Sequence, residues 1–180
     1  MKPSSIVETW GTFPHERAEV FPCDDLIERP DGVLFRGVDV TAPSELVFRW
    51  ICQLRVAPYS YDWIDNLGRQ SPRQLVPGLD KLEVGQRFVT IFRLVSFQNG
   101  RSITIESTTA AFGCVAVTYS VIPTSAQRCR LVAKVAFQTA RGLFGLMMRQ
   151  LLPAGDLIMM RKQLLTLKAL SERDAGQPSV

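Results

Sequence analysis

The 180-residue chain is short of the two residue types on which most metal and nucleophile chemistry rests, with one His and four Cys. With His15 as the only imidazole, a His-rich metal site is excluded, and a Ser/His/Asp or Cys/His arrangement has a single possible base. Cys23, Cys52, Cys114 and Cys129 show neither Cys-x-x-Cys spacing nor the density of a disulfide scaffold, so they read as buried free thiols. Long hydrophobic runs are also missing, and none approaches the roughly 18 apolar residues of a membrane helix. The opening "MKPSSIVETWGTFPHE" has no apolar leader region, and a cytoplasmic location is expected. There is no internal repeat, no low-complexity tract and no RNP, zinc-finger or helix-turn-helix signature. No cofactor, no nucleic-acid partner and no integral membrane segment are therefore expected.

What is present is an ordinary globular composition, 46% hydrophobic and 21% charged, in a chain long enough to bury one core. The net charge of +4 is unevenly spread. Between residues 128 and 173 nine basic side chains stand against two acids, whereas between residues 8 and 31 seven acids stand against two arginines. The plain reading is a solvated basic helix face with an acidic leader lying against it. The other is a basic face for an anionic membrane or a nucleic acid.

Residues 1–32 are rich in proline and acid and lack periodicity, which predicts an extended arm closed by the turn "RPDG". A β-branched strand is expected over 33–40. A helix follows over 44–54, with Thr41 or Ser44 as its cap and Leu46, Val47, Trp50, Ile51 and Leu54 at helical spacing. A short helix is expected through "YDWIDN" to Gly68, capped by Ser60 or Asp62, and then a Pro/Gly-rich loop. Strands are predicted over 87–97, 101–109 and 113–122 and after "PTSAQ", with Asn99-Gly100 turning the first hairpin. Their alternation implies an antiparallel sheet with one covered and one wet face. The apolar segment 142–153 reads as a helix ended by Pro153. Residues 154–172 form a long amphipathic helix, with Leu157, Met160, Leu164 and Leu167 as its stripe, widened by Ile158 and Leu165. Residues 174–180 read as a disordered tail.

The densest functional stretch is "YSYDWIDN". Asp62 and Asp65 lie three apart, either as helix-start chemistry or as paired carboxylates exchanging a proton. Tyr59, Tyr61 and Trp63 either pack the helix on the sheet or gate a guest with their polar edges. Arg93 and Glu106 are solvated strand charges or costly inward ones, and Arg93 shares parity with Val89, Ile91 and Val95. Met147, Met148, Met159 and Met160 are adaptable fillers.

The order arm, strand, two short helices, antiparallel strands and long C-terminal helix resembles the helix-grip fold of the START-like, or SRPBCC, superfamily. The stretches that carry the resemblance are "VDVTAPSELVFRWICQL", "PYSYDWIDNLGRQSPRQLVPGLDKLEVGQRF" and "GDLIMMRKQLLTLKALSE". The leader "WGTFPHERAEVFPCDDLI" resembles that of one bacterial branch. Where many relatives carry Gly-Trp before the Tyr-Ser, this chain has Pro58. The resemblance implies an α+β protein whose curved antiparallel sheet wraps the C-terminal helix over residues 33–173, leaving a cavity for lipids, polyketides or aromatic compounds. The superfamily shares no catalytic motif, so no catalytic residue follows.

The ligand-contacting set expected on this basis is Tyr59, Tyr61, Trp63, Ile91, Arg93, Ile103, Ile105, Val117, Tyr119, Val135, Phe137, Met160 and Leu164. Three functions fit. The first is a binding or carrier protein for an apolar or aromatic small molecule, monomeric or homodimeric. The second is a polyketide cyclase/dehydratase-like enzyme using the same pocket and a buried ionisable group. The third is an interaction protein whose basic C-terminal helix and exposed apolar patch around residues 144–152 meet a membrane or partner.

Overall fold

The computed structural model describes residues 5–89, 91–108, 113–140 and 142–176. Expectations that fall on Thr90, Thr109, Arg141, residues 177–180 or the side chains of Asp65 and Phe144 lie outside the described residues. Six strands form one antiparallel sheet in the order β1-β6-β5-β4-β3-β2: β1 Gly32–Val40, β2 Arg87–Phe88, β3 Phe92–Gln98, β4 Ser102–Ser107, β5 Cys114–Ser125 and β6 Arg128–Gln138. Three short helical pieces, α1 Ile6–Thr9, α2 Pro14–Ala18 and a 3-10 turn Pro22–Leu26, precede β1. The helix α3 Ser44–Cys52 and the single turn α4 Asp62–Asp65 lie between β1 and β2, and α5 Leu143–Ala175 closes the chain. This is an α+β helix-grip fold.

The inner face of the sheet follows from the period-2 pattern. Leu131, Ala133, Val135 and Phe137 of β6 join Val117, Tyr119 and Val121 of β5 against Met160, Leu164, Leu167 and Leu170 of α5. Val47, Trp50, Ile51 and Leu54 complete that core. Full burial of side chains such as Leu164 and Leu167 stabilises the packing by about 1.5–3 kcal/mol each. At the far end of the core, the Trp50 indole donates to Asp174 Oδ2 at 3.1 Å, which holds the last helical turn where a disordered tail was expected.

Three expectations are corrected. Pro153 does not end a helix, because α5 runs through it for 33 residues. Proline removes one backbone bond from a helix interior, and packing on the sheet outweighs that loss here. The strand expected over 87–97 is broken into β2 and β3 by a turn in which Val89 takes a positive φ of 39°. Neither Thr41 nor Ser44 caps α3, whose N-cap residue is Pro43 with no side-chain bond.

The largest correction concerns the outer face, which is covered rather than wet around β6. The arm is not extended. It contains the unit Phe-Pro-Xaa-acid twice, at Phe13-Pro14-His15-Glu16 and Phe21-Pro22-Cys23-Asp24. In each unit proline opens a helical turn and the acid reaches back to the phenylalanine amide, at 2.8 Å for Glu16 and 2.9 Å for Asp24. The same acid then pairs with a cation of β6, Glu16 with Arg130 at 2.7 Å and Asp24 with Lys134 at 2.7 Å. The phenylalanine ring faces that cation too, Phe13 at 4.6 Å from Arg130 and Phe21 at 5.1 Å from Lys134. A second apolar cluster forms beneath, with Phe21, Cys23 and Ile27 on Ala116, Val132 and Ala136. The acidic leader does meet basic residues, but those of a strand.

The arm also depends on a close approach between Gly11 and Gly37. The Gly37 amide donates to Trp10 O at 3.0 Å, and a Cβ on Gly11 would lie 2.1 Å from the Gly37 carbonyl oxygen. Of the four thiols, Cys23, Cys52 and Cys129 are buried, and burial pushes Cys52 up to about 12 and Cys129 to about 11. Cys114 is exposed, against expectation, because it sits at the start of β5. No helix among the described residues is long and apolar enough to cross a membrane.

Burial alone would raise the Glu16 carboxyl, but its bonds from Arg130 and the Phe13 amide outweigh burial and hold it below its usual range. A depressed carboxylate contributes stability above its unfolded value, near 4.5, which is lost as pH falls through the folded value. We expect Glu16→Ala to leave the buried Arg130 guanidinium with only the exposed Asp39 carboxylate at 3.3 Å and the Gly11 carbonyl at 2.8 Å, and to cost about 3 kcal/mol at neutral pH. The deficit should shrink towards pH 3. Urea unfolding at both pH values checks it, and equal deficits would show that the ion pair is not the cause.

Candidate functional site

Between the inner face of the sheet and α5 lies a cavity of about 140 Å³. Its apolar wall comes from Phe92, Ile105, Val115, Val117 and Val135 on the strands and from Met159 and Met160 on the helix. Pro58, Ser60 and Val89 close another side. Beside Ser60, the polar side chains that line it are Tyr119, Asp156 and Gln163.

Tyr119 is placed by β5 and points at the helix. Its hydroxyl donates to Gln163 Oε1 at 2.7 Å, with Met160 Sδ 3.5 Å away, and Gln163 Nε2 donates to Pro58 O at 2.7 Å. Both ends of the Gln163 amide are thus engaged, which sets its orientation. The Tyr119 oxygen keeps acceptor capacity after spending its proton on Gln163. Burial first, and the charge of Asp156 second, raise its pKa well above the ordinary phenol range, so it remains a neutral hydroxyl.

Asp156 lies one turn before Met160 and two before Gln163, on the inward side of α5. Its partner is Arg36, which shares the parity of Leu34 and Val38 on β1 and has a fully buried side chain. Arg36 Nη2 lies 2.7 Å from Asp156 Oδ2 and 3.4 Å from Pro153 O, while Nη1 donates to Phe35 O at 2.9 Å. The contact is an ion pair by distance but not a well-aimed hydrogen bond, because Asp156 Oδ2 and Arg36 Nε both lack a directed partner. Burial pushes the Asp156 carboxyl up to about 6, and the opposing pull of Arg36 is insufficient to restore it. Burial likewise lowers the Arg36 pKa, with Asp156 acting against it. The site therefore holds a carboxylate that titrates near neutrality beside a phenol that does not.

Of the residues expected to contact a ligand, Ile105, Val117, Tyr119, Val135 and Met160 line the cavity. Ile103, Phe137 and Leu164 are buried in the surrounding core but do not line it. Tyr59 is buried beside the cavity, edge-on to Trp50 at 5.9 Å, and its hydroxyl has no partner. Burial pushes that hydroxyl up to about 12. Tyr61 is half-buried at the start of α4, and Trp63 is 76% exposed. Ile91 is exposed, and Arg93 lies on the outer face with its Nε 2.7 Å from Glu106 Oε1. The inward parity expected for Arg93 fails because the turn after β2 makes Phe92 and Leu94 the inward residues, and a bulge between Leu94 and Ser96 shifts the register again.

Asp62 neither caps α4 nor faces the cavity. Its carboxylate accepts from the Ser71 amide at 2.8 Å and from the Ser71 hydroxyl, whose oxygen accepts from the Tyr59 amide at 3.3 Å. This relay holds Tyr59 at a positive φ of 56°, next to the lining residues Pro58 and Ser60.

Sequence reasoning missed Arg36, Asp156 and Gln163. A signal existed for each, since Arg36 interrupts the apolar parity of β1 and Asp156 and Gln163 fall on the helix stripe. A wider depression of about 600 Å³ near Asp31, Thr139 and Arg149 is a weaker candidate. Asp31 is already satisfied there by the Thr139 amide and hydroxyl, both at 2.8 Å, and pairs with Arg149 at 3.4 Å.

The sheet, the long C-terminal helix and the cavity between them make this a helix-grip fold. Among solved structures, the chain is similar to the Zhui aromatase/cyclase from a Streptomyces species, at TM-score 0.53 and 16% identity, covering 78% of this chain and 93% of that one. It is similar also to a protein from Thermus thermophilus, at TM-score 0.52 and 15% identity over 80% and 99% of the two chains. A Thermobifida fusca protein follows at TM-score 0.51 and 14% identity over 78% and 93%. No sequence family and no curated protein matches the chain.

Removing one member of a buried ion pair leaves the other charge uncompensated, whereas replacing both by apolar groups is often neutral. Asp156→Leu should therefore cost about 3–5 kcal/mol, and adding Arg36→Met should recover most of it, as read by urea unfolding. A carboxyl raised in the folded state has the opposite pH sign from Glu16. Stability falls as pH rises from 3.8 to about 6, and the penalty is complete above that. NMR titration of the Asp156 carboxyl should find its midpoint near 6, and a midpoint in the ordinary carboxylate range would show that the group is hydrated.

Proposed function

We propose that the protein binds a small apolar or aromatic molecule in the cavity between the sheet and α5. The observation that carries this reading is an apolar space lined by the buried Tyr119 and Gln163 and the half-buried Asp156, the usual composition of a small-molecule site. At about 140 Å³ the space suits a single ring. A dry cavity of about 150 Å³ lined by aliphatic and aromatic side chains holds benzene. A larger, polyketide-sized guest requires Met159 and Met160 to move, which their flexible thioethers permit. The open valences of Tyr119 and Asp156 are acceptors, so a ring bearing a hydroxyl donor fits better than a bare hydrocarbon. Similarity to the fold of an aromatase/cyclase supports an aromatic guest but carries no catalytic residue with it.

A second reading, proton transfer during cyclisation or dehydration of a polyketide-like substrate, is favoured by one observation. Asp156, with a pKa pushed up to about 6, is tuned for acid–base work near neutrality and faces the guest space. Under this reading Asp156 removes or returns a proton while Tyr119 orients the reacting oxygen.

Phenol and toluene are the probes. Phenol should bind with a Kd of about 1 mM or tighter, equivalent to about −4 kcal/mol, with toluene weaker and Val117→Phe abolishing both without lowering Tm. Failure of both ring probes to bind, or retention by Val117→Phe, would overturn the cavity reading. If the enzyme reading holds, turnover of a poly-β-keto thioester should follow a midpoint near pH 6 and vanish in Asp156→Asn while the variant still binds toluene.

A further inference from the structure

Helix α5 is apolar on two faces. The inner one buries Met160, Leu164 and Leu167. The outer one carries Leu143, Met147, Leu151, Ile158 and Leu165, which are 87%, 48%, 55%, 58% and 36% exposed. Successive steps of four, four, seven and seven residues keep these five on one side of a helix with 3.6 residues per turn. Ile158 and Leu165 thus belong to this outer stripe and do not widen the inner one. A helix apolar on both sides is normally enclosed on both. Here the sheet closes one side, and the other lies open among the described residues.

Charge decides what would cover it. The acids of α5 are Asp156, Glu172 and Asp174, and none is exposed. Asp156 is turned inward onto Arg36, Glu172 holds Lys168 and the Thr41 amide at 2.7 and 2.8 Å, and Asp174 holds Trp50 and Arg173. Among the described residues, the exposed charges of α5 that flank this outer stripe, Arg161 and Lys162, are cationic. Arg161 lies 5.6 Å over the Trp10 ring, so the arm braces this face. A second copy seated by two-fold symmetry would bring like charges together. An anionic lipid surface would neutralise them, and its acyl boundary would take the leucines and the methionine.

We propose that the outer face of α5 docks the protein reversibly on an anionic phospholipid bilayer. Two cavity-lining elements carry exposed apolar groups beside their lining residues, Ile158 next to Met159 and Trp63 three residues after Ser60. Docking does not depend on what the cavity holds, and its test is separate from the phenol and toluene measurements.

The test is co-sedimentation of the full chain with phosphatidylcholine vesicles, with and without phosphatidylglycerol, at low salt and at about 1 M salt, where the Debye length is about 3 Å. Binding is expected only with phosphatidylglycerol and should collapse at high salt. The double variant Leu151→Glu/Ile158→Glu should lose it while keeping the wild-type melting profile, because both positions are exposed. Lys162→Ala, with no packing role, should weaken partition about fivefold, the effect of about 1 kcal/mol per basic residue near a charged surface. Equal binding to phosphatidylcholine alone, or no binding to either vesicle, would overturn the proposal. So would a dimer in light scattering that the double variant converts to monomer, which would assign the face to a second copy.

Discussion

The structure depends on β6 being buried on both faces. Strands of an antiparallel sheet usually keep one side wet, yet every residue from Cys129 to Phe137 is buried. On the inner side that is ordinary, since Leu131, Ala133, Val135 and Phe137 meet the helix and core. On the outer side the strand presents Arg130 and Lys134, and long cations cannot be enclosed without partners. The arm supplies them with two copies of one device, a ring and a carboxylate per cation. Covering β6 in this way also shelters the neighbouring face of β1, from whose opposite side Arg36 reaches Asp156.

The cavity lies beside polar groups enclosed in an otherwise apolar interior. A guanidinium from β1 and a carboxylate from α5 meet between sheet and helix where apolar side chains would fill space more cheaply, and their mutual geometry leaves Arg36 Nε and Asp156 Oδ2 without directed bonds. Tyr119 and Gln163, by contrast, are fully organised, through the Pro58 carbonyl, into a fixed polar corner. One half of the polar lining is preorganised and the other imperfectly satisfied. Groups of the second kind gain most from a guest or a proton.

Helix α5 joins the two surfaces that matter. Its inward residues Asp156, Met160 and Gln163 shape the cavity, and its outward residues Leu151 and Ile158 form the exposed stripe. A 33-residue element that spans both roles can do so only because Pro153 does not break it. The cost of the missing backbone bond is borne by contacts along the whole helix, and Arg36 reaches the Pro153 carbonyl from the sheet side.

Local patterning alone was enough to reveal β1, α3, the strands from 101 onward and the stripe of Met160, Leu164 and Leu167, because alternation and helical spacing are properties of neighbouring residues. It also placed Val117, Tyr119 and Val135 inward, on the side that lines the cavity. Arg93 was misjudged for a physical reason, since a turn and a bulge each shift strand parity by residues whose sequence carries no sign of it. Asp62 looked like helix chemistry because its partner Ser71 lies across a loop. Arg36 and Asp156 are 120 positions apart, so local pattern can turn each inward but cannot name its partner, and only folding the helix onto β1 brings them within 2.7 Å. The sequence by itself determined the elements and their order. Which charges are buried, which face is covered and how much space is left inside were decided by long-range pairing, where burial makes a charge costly unless a distant partner arrives.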